Sequence, residues 1–139
     1  MSTSDDPVRV LVIDDDPGLR GLLTALFERE GWTVTTAADG ETAVHQMALD
    51  APDVVILDLM LPKLMGLEVL RRITAQDPTC RDRVLVVTAI SQAQLRTLPA
   101  DLGVWAVIRK PFDNAELVRS VQACVSRHAR PRLRADAAH

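Results

Sequence analysis

The chain has 139 residues, of which 25% are charged, and its formal net charge at pH 7 is -3. A chain of this length predicts one domain that buries about two-thirds of the surface of its unfolded state. The small negative charge excludes a general attraction to nucleic acid or to anionic lipid. The opening residues are polar and acidic, unlike a signal peptide, and no apolar run approaches the roughly 20 residues of a membrane span. We therefore expect a cytoplasmic protein without membrane contact.

The first third of the chain predicts two strands and two helices. Residues 10–13 are apolar and largely β-branched, which indicates a strand that is buried on both faces. A helix over 17–30 follows, with Pro17 in its first turn and apolar residues at helical spacing. These residues are Leu19, Leu22, Leu23, Leu26 and Phe27. A short strand over 32–36 and a helix capped by Asp39 come next.

The rest of the chain continues this alternation. Three further apolar strands are predicted, at 54–57, 84–87 and 104–108. The third helix must end before Pro78, and the fourth, between Ser91 and Pro99, has so few apolar residues that we expect it to be short. The fifth helix is marked by a hydrophobic staple around a capping box. Its residues are Phe112, Asp113, Glu116 and Leu117.

Five strands that alternate with five helices predict an α/β fold, a doubly wound parallel sheet with helices on both faces. We assign residues 8–128 to this domain and expect residues 1–7 to be disordered. Residues 129–139 contain three arginines and little apolar character, which predicts a basic tail or the start of a linker. Cys80 and Cys124 lack the spacing of a zinc site or a disulfide framework, so we expect two buried thiols.

Polar side chains follow four of the predicted strands. Asp14 and Asp15 come after the first, Asp58 after the third and Thr88 after the fourth. Lys110 lies two residues beyond the fifth. Ligands of parallel sheets bind at the carboxyl ends of the strands, so these side chains are expected to meet in one cleft.

The residue types in this cleft suit phosphoryl chemistry. A carboxylate such as Asp58 can attack a phosphoryl group to give an aspartyl phosphate, and it is already ionised at neutral pH. Crowding Asp14 and Asp15 beside it causes repulsion unless a divalent cation lies between them. Mg²⁺ accepts a few carboxylate oxygens while it keeps waters and phosphoryl oxygens in its shell.

Four motifs, in this order and at this spacing, resemble those of the receiver domain of two-component response regulators, over about residues 8–127. They are Asp14-Asp15-Asp16-Pro17, the run from Asp58 to Pro62 with Gly66 after it, Thr88-Ala89, and Lys110-Pro111-Phe112. The resemblance implies the flavodoxin-like strand order 2-1-3-4-5. It also implies a cis peptide bond between Lys110 and Pro111.

The resemblance implies a role for each residue of the cleft. Asp58 would be the phosphorylation site, and Thr88 and Lys110 would contact the phosphoryl group. The implied cofactor is Mg²⁺, with these ligands: Asp14, Asp15, Asp58 and the main-chain oxygen of Met60. The implied donor is a phosphohistidine of a sensor histidine kinase or a phosphotransfer protein. A downstream partner or an effector domain would receive the signal. Some receiver domains of this family form homodimers. Nucleic acid would be contacted only through such an effector domain.

The sequence departs from the family pattern in ways that affect switching. Val107 stands where receivers commonly have Tyr or Phe as the rotating switch, and Trp105, two residues earlier, is expected on the same face of the strand, where it could fill part of that surface. Met60 and Ile90 flank the route of an attacking water in the family, and neither can orient that water by hydrogen bonding. We therefore expect a long-lived aspartyl phosphate.

Three other functions fit the sequence less well. A receiver-shaped interaction module that is never phosphorylated would not need the full set of polar residues. A haloacid-dehalogenase-like phosphatase would need a second Asp at the position of Met60. A nucleotide-binding fold lacks support because neither GxGxxG nor GxxxxGK occurs in the chain.

Overall fold

The computed structural model of the protein describes residues 7–61, 65–99 and 102–128. The strands are β1 (Arg9–Ile13), β2 (Thr33–Ala37), β3 (Val54–Leu57), β4 (Val84–Thr88) and β5 (Ala106–Arg109). The helices are α1 (Pro17–Glu28), α2 (Gly40–Asp50), α3 (Gly66–Gln76), α4 (Gln92–Leu95) and α5 (Asn114–Arg127). None of the helices in this part of the chain is long and apolar enough to cross a lipid bilayer. The predictions for residues 1–6 and 129–139 concern residues outside those described.

The five strands form one parallel sheet with the order β2-β1-β3-β4-β5. This arrangement confirms the predicted fold class and strand order. Val10 of β1 is paired with Val34 on one side and with Val54 on the other. Because β1, β3 and β4 are neighbours, the residues that follow these strands lie at adjacent positions along one edge.

Two apolar layers hold the sheet between the helices. The layer under α2, α3 and α4 includes Leu11, Ile13, Leu57, Val86 and Leu70. The layer under α1 and α5 includes Val12, Phe27, Ile56, Val87 and Leu117. Full burial of such side chains stabilises the fold by about 1.5–3 kcal/mol each. The sheet is therefore a rigid base for the loops at its edge.

Polar side chains cap four of the five helices, and α3 begins without such a cap. Asp39 caps α2 as predicted, and its side chain accepts a main-chain N–H of the first turn at 2.9 Å. Asp113 caps α5 and accepts the N–H of Glu116 at 3.2 Å. A reciprocal capping box is formed at α4, by Ser91 and Gln94. That helix has only four residues and buries none of them, which confirms the expectation of a short fourth helix.

Trp105 and Val107 lie on opposite sides of the sheet. The ring centroid of Trp105 is 5.7 Å from that of His128, and the indole packs against the layer under α1 and α5. Val107 is paired with Val86 and lies on the side of α4. The expectation that Trp105 shares the face of Val107 is therefore wrong. Trp105 lies in a bend before β5 begins at Ala106, and the strict alternation of a strand does not extend to it.

Candidate functional site

The edge formed by the carboxyl ends of the strands brings the predicted polar residues together. Asp14 and Asp58 follow β1 and β3, and the N–H of Asp58 donates to the carbonyl oxygen of Ile13 at 3.0 Å. The N–H of Lys110 donates to the carbonyl oxygen of Thr88 at 2.8 Å, which connects the end of β5 to the end of β4. The main chain thus fixes where each of these side chains starts.

Lys110 joins the two buried carboxylates. Its Nζ atom donates to Oδ2 of Asp14 at 2.7 Å and to Oδ2 of Asp58 at 3.0 Å. Asp14 and Asp58 are only 3% and 5% exposed. The other oxygen of Asp58 accepts the N–H of Met60 at 3.0 Å, and the other oxygen of Asp14 accepts the N–H of Asp16 at 2.9 Å. Every oxygen of the two carboxylates therefore has a donor.

The electrostatics of the site favour an additional positive charge. Burial raises the pKa of Asp14, although hydrogen bonds from Lys110 and Asp16 and the charge of Lys110 oppose the shift. Burial alone would lower the pKa of Lys110, but its hydrogen bonds to Asp14 and Asp58 raise it above the ordinary value. The ammonium of Lys110 is thus held in its charged form. Even so, the pKa of Asp14 stays above that of an exposed carboxyl.

Asp15 completes a cluster of three carboxylates. Asp14, Asp15 and Asp58 each place one oxygen so that all three atoms lie within 4.8 Å of one another. Asp15 is exposed, whereas the other two are buried, so the cluster opens to solvent on the side of Asp15. A set of oxygen donors with one open side suits Mg²⁺, which keeps several waters when it binds to proteins. The main-chain oxygen of Met60 as a further ligand stays a prediction.

Gly66 lets the start of α3 contact the loop after Asp58. A Cβ atom at this position would lie 2.4 Å from Cα of Leu59 and 2.6 Å from the carbonyl oxygen of Asp58. The N–H of Gly66 donates to the carbonyl oxygen of Leu59 at 3.1 Å. The sequence placed Gly66 in a motif, and the structure supplies the reason: no side chain fits there.

Thr88 and the bond after Lys110 are placed as the sequence suggested. Thr88 is fully buried at the end of β4, and its hydroxyl oxygen accepts the N–H of Ile90 at 3.4 Å. The peptide bond between Lys110 and Pro111 is cis. The role of Thr88 toward a phosphoryl group remains a prediction.

Val107 borders an open groove between α4 and β5. The groove has a volume of about 540 Å³, and Leu95, Leu98, Leu102 and Val104 also line it. Val107 itself is 38% exposed. The position of the missing aromatic residue is thus marked by open apolar space, which a small branched side chain does not fill.

Two arginines near the site were not recognised from the sequence. Nη1 of Arg20 donates to the carbonyl oxygen of Asp14 at 2.8 Å. Nε of Arg109 donates to the carbonyl oxygen of Ile90 at 3.3 Å, and its Nη1 donates to Oε1 of Gln92 at 3.2 Å. The contact of Arg20 depends on the conformation of the loop before α1. The contacts of Arg109 join β5 to a loop that is distant in sequence. No local pattern distinguishes such arginines from those of a solvated surface.

Comparison with known proteins places the chain among signalling domains. The family model of the response regulator receiver domain matches residues 10–122. The probable transcriptional regulatory protein TcrX of Mycobacterium tuberculosis is 37% identical over 121 residues, which are 87% of this chain and 51% of that protein. The alkaline phosphatase synthesis transcriptional regulatory protein PhoP of Bacillus subtilis is 35% identical over 86% of this chain and 49% of its own length. The chain therefore spans about half the length of these curated relatives.

Solved structures of the same kind have the same fold. The receiver domain of a sensor histidine kinase from Pseudomonas aeruginosa is 29% identical, with a TM-score of 0.78 over 87% of this chain and 99% of that one. A magnesium ion is coordinated in the active-site cleft of that domain. The signal receiver domain of a LuxO repressor protein from Vibrio parahaemolyticus is 26% identical, with a TM-score of 0.79 over 88% of this chain and 92% of that one.

Proposed function

Because the chain belongs to the family of response regulator receiver domains, we propose that Asp58 accepts a phosphoryl group from a phosphohistidine of a sensor histidine kinase or a phosphotransfer protein. A bond forms between a carboxylate oxygen of Asp58 and phosphorus while the bond from phosphorus to the imidazole nitrogen breaks. The electron pair of that bond stays on the nitrogen. The domain is a signalling acceptor, and each transfer consumes one phosphorylated donor.

The contact of one ammonium with two buried carboxylates supports this proposal most directly. Lys110 donates to Asp14 and to Asp58 within 3.0 Å, and Asp15 adds a third carboxylate to the same cluster. A structural ion pair would need only one carboxylate for one lysine. An excess of negative charge at a solvent-open edge instead suits a site that recruits a cation and an anionic group together.

The donor set of the site fits Mg²⁺ as the cofactor. We propose that Asp14, Asp15, Asp58 and the main-chain oxygen of Met60 hold it. Bound there, Mg²⁺ supplies positive charge next to the phosphoryl oxygens, on which negative charge is concentrated during transfer. The carboxylates of Asp14 and Asp15 would hold the ion in place, while Asp58 would be both a ligand and the nucleophile.

Lys110 and Thr88 contact the transferred group in this proposal. Lys110 already points its ammonium at Asp58 and would donate to a phosphoryl oxygen once the group is attached. The Thr88 hydroxyl is buried one strand away and can turn from the N–H of Ile90 to donate to another phosphoryl oxygen. That change would draw the loop after β4 toward Asp58. A difference of a few kcal/mol between the two loop arrangements is enough to shift their populations.

The output of the switch is proposed from the relatives. The relatives named above are transcriptional regulators about twice as long as this chain. We propose that the domain works in the cytoplasm, on a downstream partner or on an effector domain, alone or as a homodimer. Nucleic acid would be contacted only by such an effector domain.

Mass spectrometry of the intact protein tests the proposal. After incubation with acetyl phosphate and Mg²⁺, the natural chain is expected to gain one phosphate, and Asp58→Asn is expected to gain none. Omission of Mg²⁺ should abolish the gain, and circular dichroism should show that Asp58→Asn is folded. An unmodified natural chain would favour an interaction module that is never phosphorylated, and continuous release of phosphate without accumulation would favour a phosphatase.

A further inference from the structure

Arg20 is the fourth group that holds Asp14. The N–H of Asp14 donates to the carbonyl oxygen of Ala37 at 3.1 Å, and its side-chain oxygens accept from Asp16 and Lys110. Nη1 of Arg20 donates to the carbonyl oxygen of Asp14 at 2.8 Å. The contact from Arg20 therefore fixes the one polar group of Asp14 that the other three contacts leave undefined.

The carbonyl oxygen of Asp14 belongs to the peptide plane that leads into Asp15. Because a peptide unit is planar, a hydrogen bond to this oxygen also sets the direction in which the Asp15 Cα lies. Asp15 is exposed, so its orientation depends mainly on the main chain that carries it. Arg20 is thus placed to act on Asp15 through the Asp14–Asp15 peptide.

The start of α1 makes Arg20 a stable anchor for this contact. The side chain of Asp16 accepts the N–H of Gly18 at 2.9 Å, and the N–H of Arg20 donates to the carbonyl oxygen of Asp16 at 3.0 Å. The chain therefore turns from Asp14 into the first turn of α1, and the guanidinium of Arg20 in that turn contacts the main chain of Asp14. A cation near a helix N-terminus is opposed by the helix dipole, so the stability of α1 alone does not explain an arginine here.

We propose that Arg20 is a positioning residue for the cation site, which holds the Asp14–Asp15 peptide so that the Asp15 carboxylate faces Asp14 and Asp58. The inference rests on the proposed function, because it concerns the same site. It adds a residue that lies outside the carboxylate cluster and touches no reacting atom. Outer partners that orient the ligands of a metal influence its affinity strongly.

Calorimetric titration of the whole chain with Mg²⁺, without a phosphate donor, tests this role. Arg20→Met is expected to weaken Mg²⁺ binding about tenfold, as is usual when an outer partner of a metal ligand is lost. Arg20→Lys is expected to recover part of the affinity, since an ammonium can also donate to one carbonyl oxygen. Arg119→Met, which removes an exposed arginine from α5, serves as the matched control and should bind Mg²⁺ like the natural chain.

Whether Arg20→Met weakens or tightens Mg²⁺ binding decides between a positioning role and a purely electrostatic effect of the arginine charge. If Arg20 acted only through its charge, its removal would make the cluster more negative and would tighten Mg²⁺ binding. Unchanged or tighter binding by a folded Arg20→Met would therefore overturn the inference. Should Arg20→Met fail to fold, Arg20→Ala takes its place, because alanine also removes both the charge and the donor and is a good helix former: weaker Mg²⁺ binding supports positioning, and unchanged or tighter binding overturns it. Phosphorylation of the natural chain is measured in parallel, and it can succeed while the inference fails.

Discussion

The Nζ atom of Lys110 lies 3.0 Å from Oδ2 of Asp58, the carboxylate proposed to be phosphorylated. The ammonium therefore offsets part of the negative charge of this carboxylate, and it is near the position where phosphoryl oxygens would arrive. The same lysine also contacts Asp14. A cation that binds these carboxylates would take over part of this neutralisation and leave the ammonium available to the phosphoryl group.

Lys110→Met should separate phosphoryl transfer from Mg²⁺ binding. The variant loses the donor that faces the developing charge, so we expect phosphorylation of Asp58 by acetyl phosphate to slow about a hundredfold at saturating Mg²⁺. Mg²⁺ should bind at least as tightly as in the natural chain, because a competing cation has been removed. Rates from mass spectrometry and affinities from calorimetry check both parts. A parallel loss of Mg²⁺ binding would mean that Lys110 mainly orders the site.

Gly66→Ala should damage the fold at the loop that carries Asp58. The added Cβ would overlap main-chain atoms of Leu59 and Asp58, neither of which can rotate away. We expect a loss of about 1–3 kcal/mol in the free energy of unfolding, as in other overpacked sites. Urea denaturation measures this loss.

Gly21→Ala is the matched control for that substitution. Gly21 lies in α1, and a Cβ there would have no atom within 4 Å. Since alanine is the better helix former, this variant should be more stable by about 0.5–1 kcal/mol. Equal changes in the free energy of unfolding for the two substitutions would contradict the close approach of Gly66 to the main chain of Asp58 and Leu59.

The convergence of the site could be predicted from the sequence because topology alone requires it. Apolar runs that end in Asp14, Asp58 and Thr88 are strands of one parallel sheet, and parallel strands end at one edge. The distances, the hydrogen bonds to Lys110 and the shifted pKa of Asp14 could not be predicted, since they depend on side-chain conformations. The same holds for the contact of Arg20, whose partner is set by how the loop enters α1.

Trp105 shows where a sequence rule fails. Alternation along the apolar run 104–108 placed Trp105 beside Val107, but the sheet pairing of β5 starts only at Ala106. The indole instead contacts the ring of His128, which caps the end of α5. The start of a strand is set by pairing with its neighbour, and the apolar run alone does not reveal it.

Arg109→Met should loosen the loop between β4 and α4. Arg109 connects β5 to this loop through the carbonyl oxygen of Ile90 and the side chain of Gln92. Without these contacts, we expect faster amide hydrogen exchange at residues 89–92, while exchange in β1 and β3 stays unchanged. Mass-spectrometric exchange of peptides from both regions measures the difference. Unchanged exchange in the loop would show that the capping box of α4 holds it without Arg109.

The aspartyl phosphate should persist well beyond seconds in the natural chain. Met60 is half exposed next to Asp58 and Ile90 is nearly buried, and neither side chain can orient an attacking water by hydrogen bonding. Met60→Asn introduces such a group and is expected to speed the decay at least about tenfold. Met65→Asn, a change at another exposed methionine, should leave the decay unchanged. Decay within seconds in the natural chain would contradict the prediction.

Cys124 should make the fold less stable at alkaline pH. The thiol is completely buried between α5 and the sheet, and burial raises its pKa from 9.0 to about 12. Between these values the unfolded chain has lost the thiol proton and the folded chain has kept it. The unfolded state therefore binds fewer protons, and the free energy of unfolding falls as pH rises, by about 1.4 kcal/mol per unit for one such group.

Cys124→Ala removes this contribution and isolates it from other groups. Burial also raises the pKa of Cys80, and hydrogen bonds raise that of Lys110, so both add to the alkaline loss in the same direction and remain in the variant. Urea denaturation between pH 8 and pH 10 under reducing conditions should give a shallower fall for Cys124→Ala than for the natural chain. The variant is less stable at pH 8 because the alanine leaves a small cavity. The comparison therefore uses the slope of the free energy of unfolding against pH and not its absolute value. Equal slopes would mean that the folded chain accommodates the thiolate at Cys124, which its complete burial in an apolar layer argues against.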